Sequence, residues 1–305
     1  MNPKNFCLFL TIVFFSFLIL PGASLAKDTA QLTQGQANQN GVKLGFKLMG
    51  GSFLLMRNDI NDHFQSADEY FEDSPDDSIL RGGFSPINMG MDFSGEILIN
   101  FTPNIGLGIG AGFLSAGKEC TARVLYSYGG SPEETFHPAF SAIPITLSLY
   151  FGIPFSSHIK MVFSTGAGYY LGKMDWEFSQ EYSDGDRYEE TWSAKAHTLG
   201  LHGGIHFEFG ITRNSAFIVG VRGRYAKLTE LTGELIADIY EDGLLYDTYT
   251  YEEAKLWYVT FRDIYSGKEY QFVSVGEMPP LANDYRLGEV NLSGIVFQAG
   301  IKITF

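Results

Sequence analysis

Cysteine, positive charge and long hydrophobic runs are what this sequence has least of. Its two cysteines are Cys7 and Cys120. Cys7 falls within an N-terminal processing segment, so the rest of the chain keeps Cys120 alone. An internal disulfide, the usual support of a small secreted domain, is thereby excluded. Lys and Arg total 21 against 35 Asp and Glu, a formal net charge of −14. Such acidity argues against nucleic acid or an anionic membrane surface as a partner. The only long apolar run, Phe6 to Leu20, is shorter than the roughly 20 residues a spanning helix needs. Any membrane role must therefore come from strands. Gly106 to Gly112 alternates like a strand and does not turn into a helix, so it is no phosphate-binding loop.

The N-terminus reads as an export signal. Lys4 precedes the apolar run, and Pro21-Gly22-Ala23-Ser24-Leu25-Ala26 supplies small residues at Ser24 and Ala26. Residues 1–26 are expected to be a signal peptide cleaved after about Ala26. Cys7 lies too early to be a lipidation cysteine. Residues 27–40, rich in Gln, Asn and Thr, read as a flexible leader.

What the chain has in plenty is glycine and aromatic residues: 35 Gly, 26 Phe and 17 Tyr. They are arranged with period two. Val42, Leu44, Phe46 and Leu48 alternate with Lys43, Gly45 and Lys47. Ile87 to Phe101 and Ile105 to Phe113 repeat the pattern, the latter against four glycines. It returns at Ile143 to Ile153, Ile159 to Leu171, Leu199 to Ile211, Phe217 to Tyr225, and Gly294 to Phe305. Each stretch is a strand with one apolar and one polar face. Short connections (102–104, 154–157, 212–214) alternate with long acidic ones (57–83, 129–137, 175–190, 227–286).

The last stretch carries Gln298, Gly300, Ile303 and Phe305 in the spacing polar-x-Gly-x-x-hydrophobic-x-aromatic. This resembles the C-terminal assembly signal of bacterial outer-membrane β-barrel proteins, with Ile303 standing where many members have an aromatic. Together with the sorted connections it gives an expected fold. That fold is all-β: residues 41–305 form a small, porin-like, transmembrane antiparallel up-and-down barrel with short periplasmic turns and long surface loops. Eight strands are expected, with ten as the alternative. In the last loop (227–286), Leu256 to Phe261 and Glu269 to Val275 read as a hairpin too short to cross a bilayer. The resemblance implies a place in the cell outer membrane, with the leader in the periplasm. The implied partners are outer-membrane lipid, lipopolysaccharide and the outer-membrane assembly machinery.

Placing the polar faces inward collects Lys43, Lys47, Lys160, Arg222, Arg224 and Lys302 with Asp92, Glu96, His206 and Glu208. An eight-stranded barrel is only just wide enough to be filled by its own side chains, so these read as a plug of ion pairs. The competing reading is a narrow, cation-lined passage. His202 and His206 would share a metal on a helix, but on a strand they stand about 13 Å apart. Ser141 and His197 face outward near the rim on strands that are not neighbours, with no acid to complete a triad. No catalytic, cofactor or metal set is therefore expected, and a lipid-modifying enzyme is the third reading. The last loop, with Tyr240, Tyr246, Tyr249, Tyr251, Trp257, Tyr258 and Tyr265, is acidic and aromatic. It reads as a solvated loop that keeps the surface anionic, with an extracellular ligand of unknown identity, or divalent cations bridging lipopolysaccharide, as the alternative.

Overall fold

Alternating sequences can satisfy their backbone amides only by pairing, and here almost every segment does so. The structure is a computed structural model that describes residues 42–74, 77–127, 130–263, 267–280 and 284–305. The expected signal peptide and leader lie outside the described residues. The elements are β1 (Lys43–Leu55), α1 (Asp59–Asp73), β2 (Ser78–Gly82), β3 (Met89–Asn100), β4 (Ile105–Gly117), β5 (Cys120–Leu125), β6 (Glu133–Pro154), β7 (Ile159–Glu181) and β8 (Arg187–Gly210). There follow β9 (Ser215–Tyr225), β10 (Lys227–Leu228), β11 (Thr232–Glu241), β12 (Leu244–Arg262), β13 (Glu269–Gly276), β14 (Asp284–Leu287), β15 (Val290–Asn291) and β16 (Gly294–Thr304).

The antiparallel pairings run β1 to β3, β3 to β4, β4 to β6, β6 to β7, β7 to β8, β8 to β9, β9 to β16, and β16 back to β1. The three short connections share one chemistry. Thr102 Oγ1 accepts from the amides of Asn104 and Ile105, and Ser156 Oγ from those of His158 and Ile159. Thr212 Oγ1 does the same for Asn214 and Ser215. A hydroxyl two residues ahead is a compact substitute for a turn hydrogen bond. All three turns lie at the end where Asn100 pairs with Lys43 and Thr304 with Gly45.

At the other end β6, β7 and β8 run on for 22, 23 and 24 residues, about twice what a membrane crossing needs. The extensions carry a second set of strands. β11 pairs with Arg187–Lys195, β12 with β11, and β13 and β14 with β12. On the opposite flank β5 pairs with β6 and β2 with β5. The expected hairpin of 256–261 and 269–275 is present as β12 and β13. The segment 175–190, expected as a loop, is strand on both sides of a short turn at 182–186. Trp176 and Trp192 sit opposite each other there, and both are buried.

The acidic stretch after β1, also read as loop, holds α1. Asn58 caps it by accepting from the Asn61 amide at 2.9 Å. Ile60, Phe64 and Ala67 recur at helical spacing and are buried. They join Phe53, Phe84, Leu114, Phe140, Tyr170, Met174 and Trp192 in one apolar cluster. That cluster runs from the enclosed side of the strands up to α1. The edge of β13 is met by α1, since the Gln271 amide donates to Ser66 Oγ at 3.0 Å and the Val273 amide to His63 Nδ1 at 3.4 Å. No helix among the described residues is long and apolar enough to cross a membrane, which says nothing of crossing by strands.

Trp192 is fully buried, and its Nε1 donates to the Ala254 carbonyl at 3.2 Å, tying β8 to β12. Trp192→Ala is expected to cost about 3–5 kcal/mol, read as a lower urea midpoint of the detergent-refolded protein and as new protease cuts between residues 227 and 290.

Candidate functional site

The two faces of the strand circuit differ in kind. The outward face shows Leu48, Ile97, Ile109, Ile145, Leu147, Leu201 and Phe297, all exposed. The enclosed face is polar toward the short-turn end. Asp92 receives Arg222 Nη2 and Arg224 Nη1, each at 2.7 Å. The Arg224 Nε donates to the Leu292 carbonyl at 2.8 Å, and its guanidinium lies 4.9 Å from the Phe53 ring centre. Lys47 Nζ is 2.7 Å from both Glu96 Oε2 and the Tyr150 hydroxyl, which itself donates to Glu96. Lys302 Nζ holds both Glu208 oxygens at 2.8 Å, with His206 Nε2 at 3.5 Å from the same carboxylate. Ser148 Oγ and His202 Nε2 are 2.9 Å apart.

Nine of the ten expected charged residues thus fall on or beside the enclosed face, and two stand apart from the carboxylates. Lys43 is exposed at the end of β1. Lys160 donates to the Pro103 carbonyl instead of to a carboxylate. The sequence reading left Tyr150 and Ser148 out of the cluster; their inward parity on β6 was the available signal. Room for the long side chains comes from glycine. A Cβ at Gly108 would stand 2.7 Å from Tyr150 Cε2, and one at Gly110 would strike the Glu96 side chain.

Very little space remains. A cavity of about 20 Å³ survives near the short turns, between Lys47, Tyr150, Lys160, His206, Glu208 and Lys302. That is room for roughly one water. Above the charged layer lie the apolar cluster and α1. His63 of α1 is enclosed by the rings of Phe64, Phe136, Trp176 and Phe272 at 5.4–5.9 Å. Its burial pushes the imidazole pKa down to about 4. Around it the helix is tied down by charge: Arg286 grips Asp59 with two bonds of 2.8 and 2.7 Å, and Lys268 reaches Asp73 at 2.6 Å.

The outward candidates stay apart. Ser141 of β6 pairs with Lys173 of β7, and His197 of β8 with Leu171 of β7, so a whole strand separates them. His197 lies 5.6 Å from the Tyr169 ring. Among the described residues no group of three or more His, Cys, Asp or Glu side chains is placed to hold a metal.

No family model and no curated protein matches the chain. Among solved structures it is similar to the outer membrane protein OprG of Pseudomonas aeruginosa, at 13% identity over 88% of this chain and 99% of that one, with a TM-score of 0.34. It is similar to a major outer membrane protein of Thermus thermophilus, at 13% identity over 87% and 100%, TM-score 0.36. It is also similar to the outer membrane protease OmpT of Escherichia coli, at 11% identity over 87% and 95%, TM-score 0.40. At these scores the likeness assigns neither strand count nor activity.

Asp92→Ala leaves two buried guanidinium groups facing each other without their carboxylate. The expected loss is about 3–5 kcal/mol in urea unfolding of the refolded protein. His63 gives a pH dependence of known sign. Its folded pKa is depressed, so its stabilising effect is complete above the unfolded value of 6.5 and fades as pH falls toward 4. Wild type is expected to lose about 2 kcal/mol by pH 5 and about 3 below pH 4, relative to His63→Phe measured alongside.

Proposed function

We propose that the chain is an exported outer-membrane β-barrel of eight strands, closed through β1 and β16. Its lumen is filled by ion pairs and an aromatic cap, and its role is structural or surface-interacting, not catalytic. The apolar outward face supports a lipid-facing belt. On β6 it runs over Ile143, Ile145, Leu147, Leu149 and Phe151, all exposed. That span is about the 9–11 residues a tilted crossing strand needs. The outward face turns polar at Ser141, Lys173 and His197, where a lipid–water boundary would fall. Lys173 and Asp175 pair at 2.8 Å just beyond it, both half exposed to water.

The expected C-terminal signal fits this reading. Phe305, 76% exposed, is held at the ring by its amide bond to the Leu44 carbonyl at 2.8 Å. Gln298, Gly300, Ile303 and Phe305 would then be read by the assembly machinery while β16 pairs with β1. Lipid and lipopolysaccharide are the partners of the outer face. A soluble or surface-bound partner would meet the sheet β11 to β14.

The observation that carries the filled-lumen reading is the set of ion pairs across the enclosed face, Lys47–Glu96, Arg222 and Arg224–Asp92 and Lys302–Glu208, packed around a cavity of about 20 Å³. The narrow-channel reading draws on the same cavity, because Lys47, Lys160 and Lys302 line it against Glu208 alone. Single-channel recording of the refolded, heat-modifiable protein in a planar bilayer separates the two. Insertion without openings is the expected result; steady, reproducible openings would replace the filled lumen with a conducting one.

A further inference from the structure

We propose that the bare edge of β12, residues 244–253, docks an extended peptide segment bearing Lys or Arg, which adds to the outer sheet as a further strand. The proposal rests on the reading that this end of the molecule faces outward, and it names the class of partner.

The first observation is the pairing. β12 meets β13 over Lys255–Arg262 and β14 over Trp257–Thr260. From Leu244 to Glu253 its strand partner among the described residues is β11 alone, and the next residue, Ala254, is buried with its carbonyl taken by Trp192 Nε1. An unpaired strand edge presents a row of amides and carbonyls ready for another chain. Natural sheets blunt such edges with lysine, proline or a covering element. Between Leu244 and Ala254 there is no lysine and no proline. Leu244, Leu245, Tyr246, Tyr249 and Tyr251 are all exposed.

The second observation is regularity where docking needs it. Register shifts in the β11–β12 pair fall at Ile239/Tyr240 and at Gly233/Leu235. Between them Asp247–Tyr251 runs regularly against Leu235–Ile239. Alternation puts Asp247, Tyr249 and Tyr251 on one face of this stretch and Thr248 and Thr250 on the other. The first face is a carboxylate followed by two phenol rings; Asp247 accepts from the Thr248 amide at 2.9 Å and keeps its negative charge, which suits a cationic side chain by charge and by ring-face attraction.

Charge chooses the occupant. From Glu234 to Glu253 there are seven carboxylates and no Lys, Arg or His. A second copy docking edge to edge would bring the same seven, and like charges across a strand pair are unfavourable. A Lys- or Arg-bearing strand complements them.

The test uses full-length protein refolded in detergent and a fluorescent peptide of alternating Lys and Val, followed by anisotropy. Two further peptides carry N-methyl groups on alternate amides, one in each register, and a fourth has Glu in place of Lys. Strand addition predicts that the Lys-Val peptide binds. N-methylation in one of the two registers should weaken it roughly tenfold or more, and the Glu peptide should not bind. Asp247→Lys combined with Glu252→Lys, with unchanged heat-modifiable migration, should also abolish binding. Equal binding of both N-methylated peptides would reduce the site to charge alone and overturn the proposal, as would failure of the Lys-Val peptide to bind. Self-association of the full chain in sedimentation, lost in Tyr249→Pro, would assign the edge to a second copy and overturn it equally. A conducting bilayer would remove the filled-lumen reading and leave the peptide result standing. A silent bilayer without peptide binding would remove only the edge assignment.

Discussion

Backbone amides in a strand circuit have only one another as partners, and that constraint organises the whole molecule. Each of the eight strands in the circuit pairs with two others of the set, so no edge is left within it. Pairing on both sides fixes the alternation of faces, because a slip of one residue would exchange the two faces of a strand. The apolar face of Ile145, Leu147 and Leu149 can therefore only point out, and Lys47, Asp92 and Glu208 only in. The close approach of β1 and β16 depends on this too. A Cβ on Gly51 or Gly300 would strike the carbonyl of the facing strand.

Once the charges are forced inward they must be satisfied by one another. Three carboxylates, Asp92, Glu96 and Glu208, each hold at least one cation at 2.7–2.8 Å. Ion pairs of this kind are weak evidence for stability, because desolvation offsets most of their attraction, but losing one partner is costly. The arrangement therefore favours a single packing of the interior over many. The aromatic cap acts differently. It removes apolar surface from water and needs no exact pairing, so α1 can close the upper end through Ile60 and Phe64 while its outer carboxylates are tied by Arg286 and Lys268.

The strands of the circuit were legible because their two faces carry opposite chemistry on alternate residues. Where that contrast ends, legibility ends with it. Residues 175–181 keep the alternation, with Trp176 and Phe178 inward, but the facing positions Asp175, Glu177 and Glu181 are acidic, and the stretch reads as loop. α1 was hidden in the same way: Ile60, Phe64, Ala67 and Phe71 carry the helical period, but the acids between them dominate the composition. Parity told which charges share the interior. It did not tell their heights, so the grouping of Arg222 and Arg224 on Asp92, or of Tyr150 with Lys47 and Glu96, was beyond the sequence. Lys43 shows the same limit: its parity is inward, but it lies at the very end of β1 and faces water.

A strand with a partner on each side has no free edge, but any sheet grafted onto the extended strands must end somewhere. Three edges of the outer sheet differ in how they are protected. β2 is only five residues long and carries Arg81, a short and charged edge. β13 is covered, its Gln271 and Val273 amides spent on Ser66 and His63 of α1. The stretch 244–253 of β12 is neither short nor basic, and beyond β11 no strand among the described residues pairs with it. Two edges of one sheet are thus protected by independent devices while the third is left open. Burial and pairing among the described residues account for the first two edges and leave the third without a partner.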